Sequence, residues 1–221
     1  MITPARIFEV FEDKKRRKIY TKNLIPGKQV YGERLVREKG TEYREWNPNR
    51  SKLAAAIAKG ASNIGIRSGS TVLYLGCSTG TTVSHVSDMV GLDGGVFGVD
   101  PAPVVMREFV FMAEERKNVA PILADANKPE EYADKMMEVD VVFQDIAQRN
   151  QTEIFLKNLR FLKKGGFGLL AVKSRSIDIT KKPKQIFNEV RLELEKHITV
   201  VDYKMLDPFE KDHCMIIVKK K

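Results

Sequence analysis

From Thr71 onward, short runs of consecutive apolar residues alternate with longer stretches in which apolar positions recur every three or four residues. The continuous runs are TVLYLG from Thr71, GGVFGVD to Asp100, APILAD to Asp125, VDVVFQD to Asp145 and GFGLLAVK to Lys173. A short run that is apolar at nearly every position is a strand buried on both faces. Between these runs TTVSHVSDMVG, APVVMREFVFMAEE, KPEEYADKMM and NQTEIFLKNLRFL read as helices, and FNEVRLELEKH continues the series. This βαβ alternation predicts a mainly parallel sheet covered by helices on both faces. ITVVDYKML and HCMIIVKKK follow with no helical segment between them, so the last strand is expected to run antiparallel.

Upstream the pattern is different. RIFEVFE, KKRRKIYTKNL, KQVYGERLV and TEYREW are short segments with partial alternation, punctuated by Pro26-Gly27 and Lys39-Gly40, and predict a small antiparallel β unit. NRSKLAAAIAKGA then reads as a helix, with Asn47 or Asn49 available as its cap. The expected division is a basic β domain over 1–48 and an α/β domain over 49–221, joined at EWNPNRS.

Charge sharpens that division. Residues 1–52 hold fourteen Lys or Arg against seven Asp or Glu, so most of the net +9 lies in the amino-terminal quarter. Such an arm suits a polyanion, most directly nucleic acid, and Tyr20 directly after EDKKRRKI is a candidate for base stacking. No apolar run approaches the roughly 20 residues needed to cross a bilayer, and the amino terminus lacks a signal-peptide core, so a cytoplasmic protein is expected. Cys77 and Cys214 have no metal-ligand spacing and are expected to pack as small hydrophobes. The scattered His85, His197 and His213 offer no metal motif.

Candidate chemistry lies where the strands stop. In open α/β sheets ligands bind beyond the carboxyl ends of the parallel strands. Here those ends carry, in order, the Gly76 turn, Asp100, Asp125, Asp145 and Lys173. Any one of these acids alone is explained as a helix cap, but the row on one sheet edge indicates a site. Gly76 and Gly80 allow a tight turn close to a ligand, and Asp100 stands where an acid can accept from ribose hydroxyls. Three carboxylates disfavour a pyrophosphate and suit an adenosine bearing a cationic centre, as in S-adenosylmethionine. The same loop spells G-x-S-x-G, and Ser78, Asp145 and His213 follow the chain order of a serine hydrolase. Against that reading, the turn sits on the first strand of the α/β body, and no oxyanion-donor loop precedes it.

WNPNRSKLAAAI, VLYLGCSTGTTVSHVSDMVG, VMREFV, ILADANKPEEY, DVVFQDIAQRNQTEIF and AVKSRSIDIT together resemble the fibrillarin family of RNA 2′-O-methyltransferases in its archaeal form, from about Arg34 to the end of the chain. The resemblance implies a Rossmann-like S-adenosylmethionine-dependent methyltransferase sheet behind a small β domain. It places cofactor contacts at Thr81, Thr82, Asp100, Pro101, Asp125, Ala126, Asp145, Ile146, Ala147 and Gln148, beside Gly76 and Gly80. It places a Lys-Asp-Lys-His catalytic set at Lys52, Asp145, Lys173 and His213, and no metal. The chain departs from the family in Cys77-Ser78-Thr79, in Asp100 where Glu is usual, and in Pro101 where an aromatic is usual, which removes a stacking surface for adenine.

The implied activity is ribose 2′-hydroxyl methylation of ribosomal and transfer RNA within a box C/D particle. The implied partners are a guide RNA, a Nop-type scaffold protein and a kink-turn-binding ribosomal-type protein. In that mechanism Lys173 directs or deprotonates the hydroxyl, Asp145 orients it, and Lys52 and His213 hold phosphate or ribose. The chain has no base-reading module, so specificity is expected to come from the guide. The rival expectation is a non-catalytic RNA-binding subunit that keeps only a methyltransferase-like shell.

Overall fold

The computed structural model describes residues 1–221. Strands β1 (Thr3–Pro4), β2 (Val10–Asp13), β3 (Lys18–Lys22), β4 (Leu35–Glu38) and β5 (Thr41–Trp46) form an antiparallel sheet in the order β1-β2-β3-β5-β4. Alternation along β5 turns Glu42, Arg44 and Trp46 inward, so this small sheet buries charge as well as an indole. Tyr20 is also buried, which corrects its expected part in base stacking: the ring fills the interior of the unit. The preceding Lys14–Arg17 turn is exposed.

Helix α1 (Lys52–Ala58) follows, and its cap is neither Asn47 nor Asn49. Ser51 takes that place with extended backbone, its Oγ accepting from Ala54 N–H. The Asn47 side chain closes a turn on Asn49 N–H instead, 2.9 Å away, and is thereby used up before the helix begins.

The second sheet is built from β6 (Thr71–Leu75), β7 (Gly95–Asp100), β8 (Val119–Leu123), β9 (Val139–Gln144), β10 (Leu162–Lys173), β11 (Thr199–Met205) and β12 (His213–Lys219). Their order is β11-β12-β10-β9-β6-β7-β8, with β12 antiparallel to both neighbours, as the missing helix required, and every other pairing parallel. Helices α1, α2 (Thr81–Val90) and α3 (Pro103–Glu115) pack on one face through residues such as Leu53, Val86 and Phe109. Helices α4 (Gln151–Asn158) and α6 (Pro183–Glu195) cover the other through Phe155 and Phe187, and α5 (Ser174–Ile177) is a single turn. KPEEYADKMM closes as a 3-10 segment, Pro129–Lys135, because it buries only Pro129 and Tyr132, too few anchors for an α-helical stripe.

Trp46 and Val10 of the first sheet, and Ile7 between β1 and β2, belong to the same apolar cluster as α1 and α2. Beside it lies a buried polar seam. Asp88 of α2 accepts from Arg44 Nη1 and Arg116 Nη1, both at 2.7 Å, and from Thr21 Oγ1 at 2.8 Å. His85 stacks on Trp46 at 4.8 Å between centroids and meets the hydroxyls of Thr21 and Tyr31. The amino-terminal sheet is thereby fastened to the helix that leaves the glycine turn. No helix is long and apolar enough to cross a membrane.

Candidate active site

Strand β6 lies between β9 on one side and β7 on the other, so the chain leaves its carboxyl end at the point where the strand order reverses, and the connections there leave a crevice. Gly76 opens that crevice with φ +79°, and a Cβ on it would stand 2.5 Å from the carbonyl oxygen of Asp145. Gly80, φ +92°, begins α2, and a Cβ there would meet Met112 Cε at 2.6 Å and Phe109 Cδ2 at 2.8 Å. No side chain caps α2, so its first-turn N–H groups are left for a ligand.

Ser78 lies between these glycines with φ +49°, its side chain exposed and its N–H donated to Asp100 Oδ2 at 3.0 Å. The hydrolase triad is not assembled. Asp145 is engaged by two lysines, and His213 donates from Nδ1 to the carbonyl of Lys211 at 2.6 Å. Cys77 and Cys214 are buried, and burial pushes both thiols up, so neither is a nucleophile.

The four residues of the expected catalytic set come together from four elements. Lys52 is the first residue of α1, Asp145 follows β9, Lys173 ends β10, and His213 starts β12 directly across from Lys173 in the strand register. Lys52 Nζ lies 3.3 Å from Asp145 Oδ2, and Lys173 Nζ lies 3.5 Å from Oδ1. Their side chains are 13%, 15% and 23% exposed, and that of His213 is 20% exposed, so the cluster sits in a recess. Asp145 Oδ1 is buried with no hydrogen-bond donor, because the Lys173 ammonium stands too far for one, and it remains an open acceptor. Burial lowers the basicity of His213, and the charges of Lys52 and Lys173 lower it further, which favours a neutral ring.

The expected cofactor contacts line the same edge. Asp100 accepts from Ser78 N–H and from Ala102 N–H, one on each oxygen, and each oxygen keeps a further lone pair for a ribose hydroxyl. Pro101 is exposed beside it. Asp125 folds back onto Asn127 N–H at 2.8 Å, with Ala126 buried next to it. Ile146 is half-buried and Ala147 and Gln148 are exposed on the loop after Asp145. Thr81 and Thr82 stand at the start of α2, but Thr82 is buried and its hydroxyl donates to Ser51 Oγ at 3.0 Å, so its N–H is the group left for a ligand. The two glycine positions that a Cβ would fill, the uncapped helix and the carboxylates at 100 and 125 suit an adenosine with a cationic amino-acid arm.

Sequence reasoning missed two side chains that shape this recess. Ser51 was legible, since a serine immediately before an alanine-rich helix is a capping signal. Gln151, buried at the start of α4 and bonded to the Lys173 main chain, has no motif around it that marks it out.

The fibrillarin family profile matches residues 3–221. A fibrillarin-like rRNA/tRNA 2′-O-methyltransferase of Thermococcus sibiricus is 53% identical over 215 residues, 97% of this chain and 95% of that protein. Aeropyrum pernix fibrillarin, solved with natively bound S-adenosyl-L-methionine, is 42% identical, superposes with a TM-score of 0.90 and shares 99% of this chain and 97% of its own. A fibrillarin in complex with Nop5p is 37% identical with a TM-score of 0.88, over 97% and 99% of the two chains. Both sheets and the recess between β6 and β9 fall inside the matched span, so the chain belongs to the fibrillarin family.

Proposed function

We propose that this chain transfers the methyl group of S-adenosylmethionine to ribose 2′-hydroxyls of ribosomal and transfer RNA, as the catalytic subunit of a box C/D guide-RNA particle in the cytoplasm. The observation that carries the reading is Asp145 held between Lys52 and Lys173 at the sheet edge where Gly76 turns. Bound at that turn, S-adenosylmethionine would supply a methyl group already activated by its sulfonium. Gly76, Gly80 and the first turn of α2 would hold its amino-acid arm, Asp100 its ribose, and Asp125 with Ala126 its base.

The remaining work falls to the chain: to place a ribose hydroxyl in line and to relieve it of a proton. The open Oδ1 of Asp145 accepts from the 2′-hydroxyl and fixes its direction. Lys173, beside the same oxygen, directs the hydroxyl and, as a neutral amine, takes its proton to become the ammonium paired with Asp145. Lys52 and the neutral His213 hold the neighbouring phosphate or ribose. RNA pairing presents that hydroxyl in the shallow minor groove of an A-form duplex, which is why a scaffold and a guide are needed. The relative solved with Nop5p supports a Nop-type scaffold, and a kink-turn-binding protein completes the proposed particle.

The test is methyl transfer from labelled S-adenosylmethionine in a particle assembled with a guide RNA and both partner proteins. Lys173→Ala should abolish transfer while leaving cofactor affinity within about twofold. Unchanged turnover removes Lys173 from the mechanism. Absence of saturable heat on titrating the chain with S-adenosylmethionine returns the protein to the non-catalytic class. Robust methylation of bare RNA by the isolated chain contradicts the guide-dependent part.

A further inference from the structure

Strands β9 and β10 run in parallel register only as far as Gln144 opposite Leu170. Beyond that pair β10 continues through Ala171 and Val172 to Lys173, while the chain after β9 turns away into the loop that carries Asp145 and Gln148. On its other side Lys173 is still paired with His213 of β12. The Lys173 peptide has therefore lost its strand neighbour on the side of the site.

A side chain takes that neighbour's place. Gln151, fully buried at the first position of α4, accepts from Lys173 N–H through Oε1 at 2.9 Å. Through Nε2 it donates to the Lys173 carbonyl at 3.3 Å and to the Gln148 carbonyl at 2.8 Å. Its own carbonyl accepts from Gln144 Nε2 at 2.6 Å. A carboxamide has one oxygen and two N–H groups, and all are used here. It behaves as one more peptide of β9, bonding both main-chain groups of Lys173 while gripping the Asp145 loop at its far end; the Gln151 main-chain carbonyl holds Gln144 at the near end.

We infer that Gln151 is a positioning residue for methyl transfer, holding Lys173 and the Asp145 loop as one unit so that the amine keeps its place on the carboxylate. The inference rests on the methyltransferase reading of this site. A strand end left to water would allow Lys173 to move by an ångström or so, and misplacement of that size costs about a hundredfold in rate. No other side chain bonds the loop and the Lys173 main chain together.

The assembled particle is assayed as wild type, Gln151→Met, Gln151→Glu and Ile154→Val, the last destabilising α4 without touching Lys173. Turnover at saturating RNA and cofactor should fall about tenfold to a hundredfold in Gln151→Met. KM for RNA and the cofactor dissociation constant should stay near wild type, and the pH–rate profile should shift, because the Lys173–Asp145 separation changes. Gln151→Glu keeps the acceptor for Lys173 N–H but sets an oxygen against the Lys173 and Gln148 carbonyls, so its turnover should also fall, and it decides the matter alone if the Met variant does not fold. Ile154→Val should lower thermal stability with turnover unchanged. The inference is overturned if both Gln151 variants turn over as wild type with an unshifted profile, or if Ile154→Val loses as much turnover as they do. A wild-type particle that transfers no methyl group overturns the methyltransferase reading instead.

Discussion

The hydroxyl of Thr82 donates to Oγ of Ser51 across 3.0 Å, joining the first turn of α2 to the cap of α1. One helix opens from the glycine turn and the other presents Lys52 to Asp145, so the glycine turn and the carboxylate are linked through a buried pair of hydroxyls. Thr82→Val keeps the shape and removes the donor, and should cost about 1 kcal/mol of stability. Ser51→Ala should cost a similar amount through the lost cap. The two should combine with less than additive loss in a denaturant double-mutant cycle, and each should lower methyl transfer. Strict additivity would mean that the pair transmits nothing between the helices.

The α/β body was legible because its strands are continuous apolar runs, and their carboxyl ends gave Asp100, Asp125, Asp145 and Lys173 as a row. What escaped was held by long-range polar partners. Nothing within TEYREW shows that Glu42 and Arg44 face inward with Trp46; Arg44 is buried because Asp88, forty-four residues on, receives it. Tyr20 escaped for a different reason: only the packed sheet shows which face of β3 is covered. Gln151 escaped because bonding to a main chain twenty-two residues away leaves no pattern in composition or period.

Asp88 balances two guanidinium groups that reach it from different elements, Arg44 of β5 and Arg116 at the end of α3, with all three side chains at most 2% exposed. Removing the carboxylate charge leaves the buried Arg116 with no carboxylate partner and Arg44 with Glu33 alone, 2.6 Å away. Asp88→Asn should therefore destabilise the chain by about 3–5 kcal/mol in equilibrium urea unfolding. A loss below 1 kcal/mol would show that water reaches the seam.

Acid should loosen the same seam before any carboxylate titrates. Thr21 spends its hydroxyl hydrogen on Asp88, so it accepts from Nδ1–H of His85, while Tyr31 donates to Nε2; the ring is held neutral in one tautomer. Burial first, and then the Arg44 and Arg116 charges, drive its basicity well below that of a free imidazole. The unfolded chain therefore takes up a proton below about pH 6.5 that the folded chain refuses. Stability contributed by the neutral ring is complete above that pH and declines as the pH falls. Burial and the charges of Lys52 and Lys173 act on His213 in the same direction. The urea midpoint should drop between pH 7.5 and pH 5, a window above the carboxylate range, and His85→Gln should flatten most of that drop. An equal drop in the variant would assign the acid sensitivity elsewhere.

Gly76 is the position where backbone freedom and close approach are required together. Its φ of +79° strains any side chain, by about 1–2 kcal/mol. Gly69 has nearly the same φ, +80°, but nothing lies within 4 Å of a Cβ built there, so Gly69→Ala measures the strain alone. At Gly76 the added carbon would lie 2.5 Å from the Asp145 carbonyl oxygen and 3.0 Å from Ile146 Cγ1. The neighbour that must yield is main chain, and the main chain that moves carries the carboxylate proposed to orient the hydroxyl. Asp145 N–H is itself bonded to the Leu75 carbonyl at 2.9 Å, so any retreat of the loop breaks the last rung between β6 and the Asp145 segment. Gly76→Ala should then exceed Gly69→Ala in destabilisation. It should also lose both cofactor affinity, read by calorimetry, and methyl transfer, while Gly69→Ala keeps both. Equal behaviour of the two variants would place the Gly76 turn outside the site.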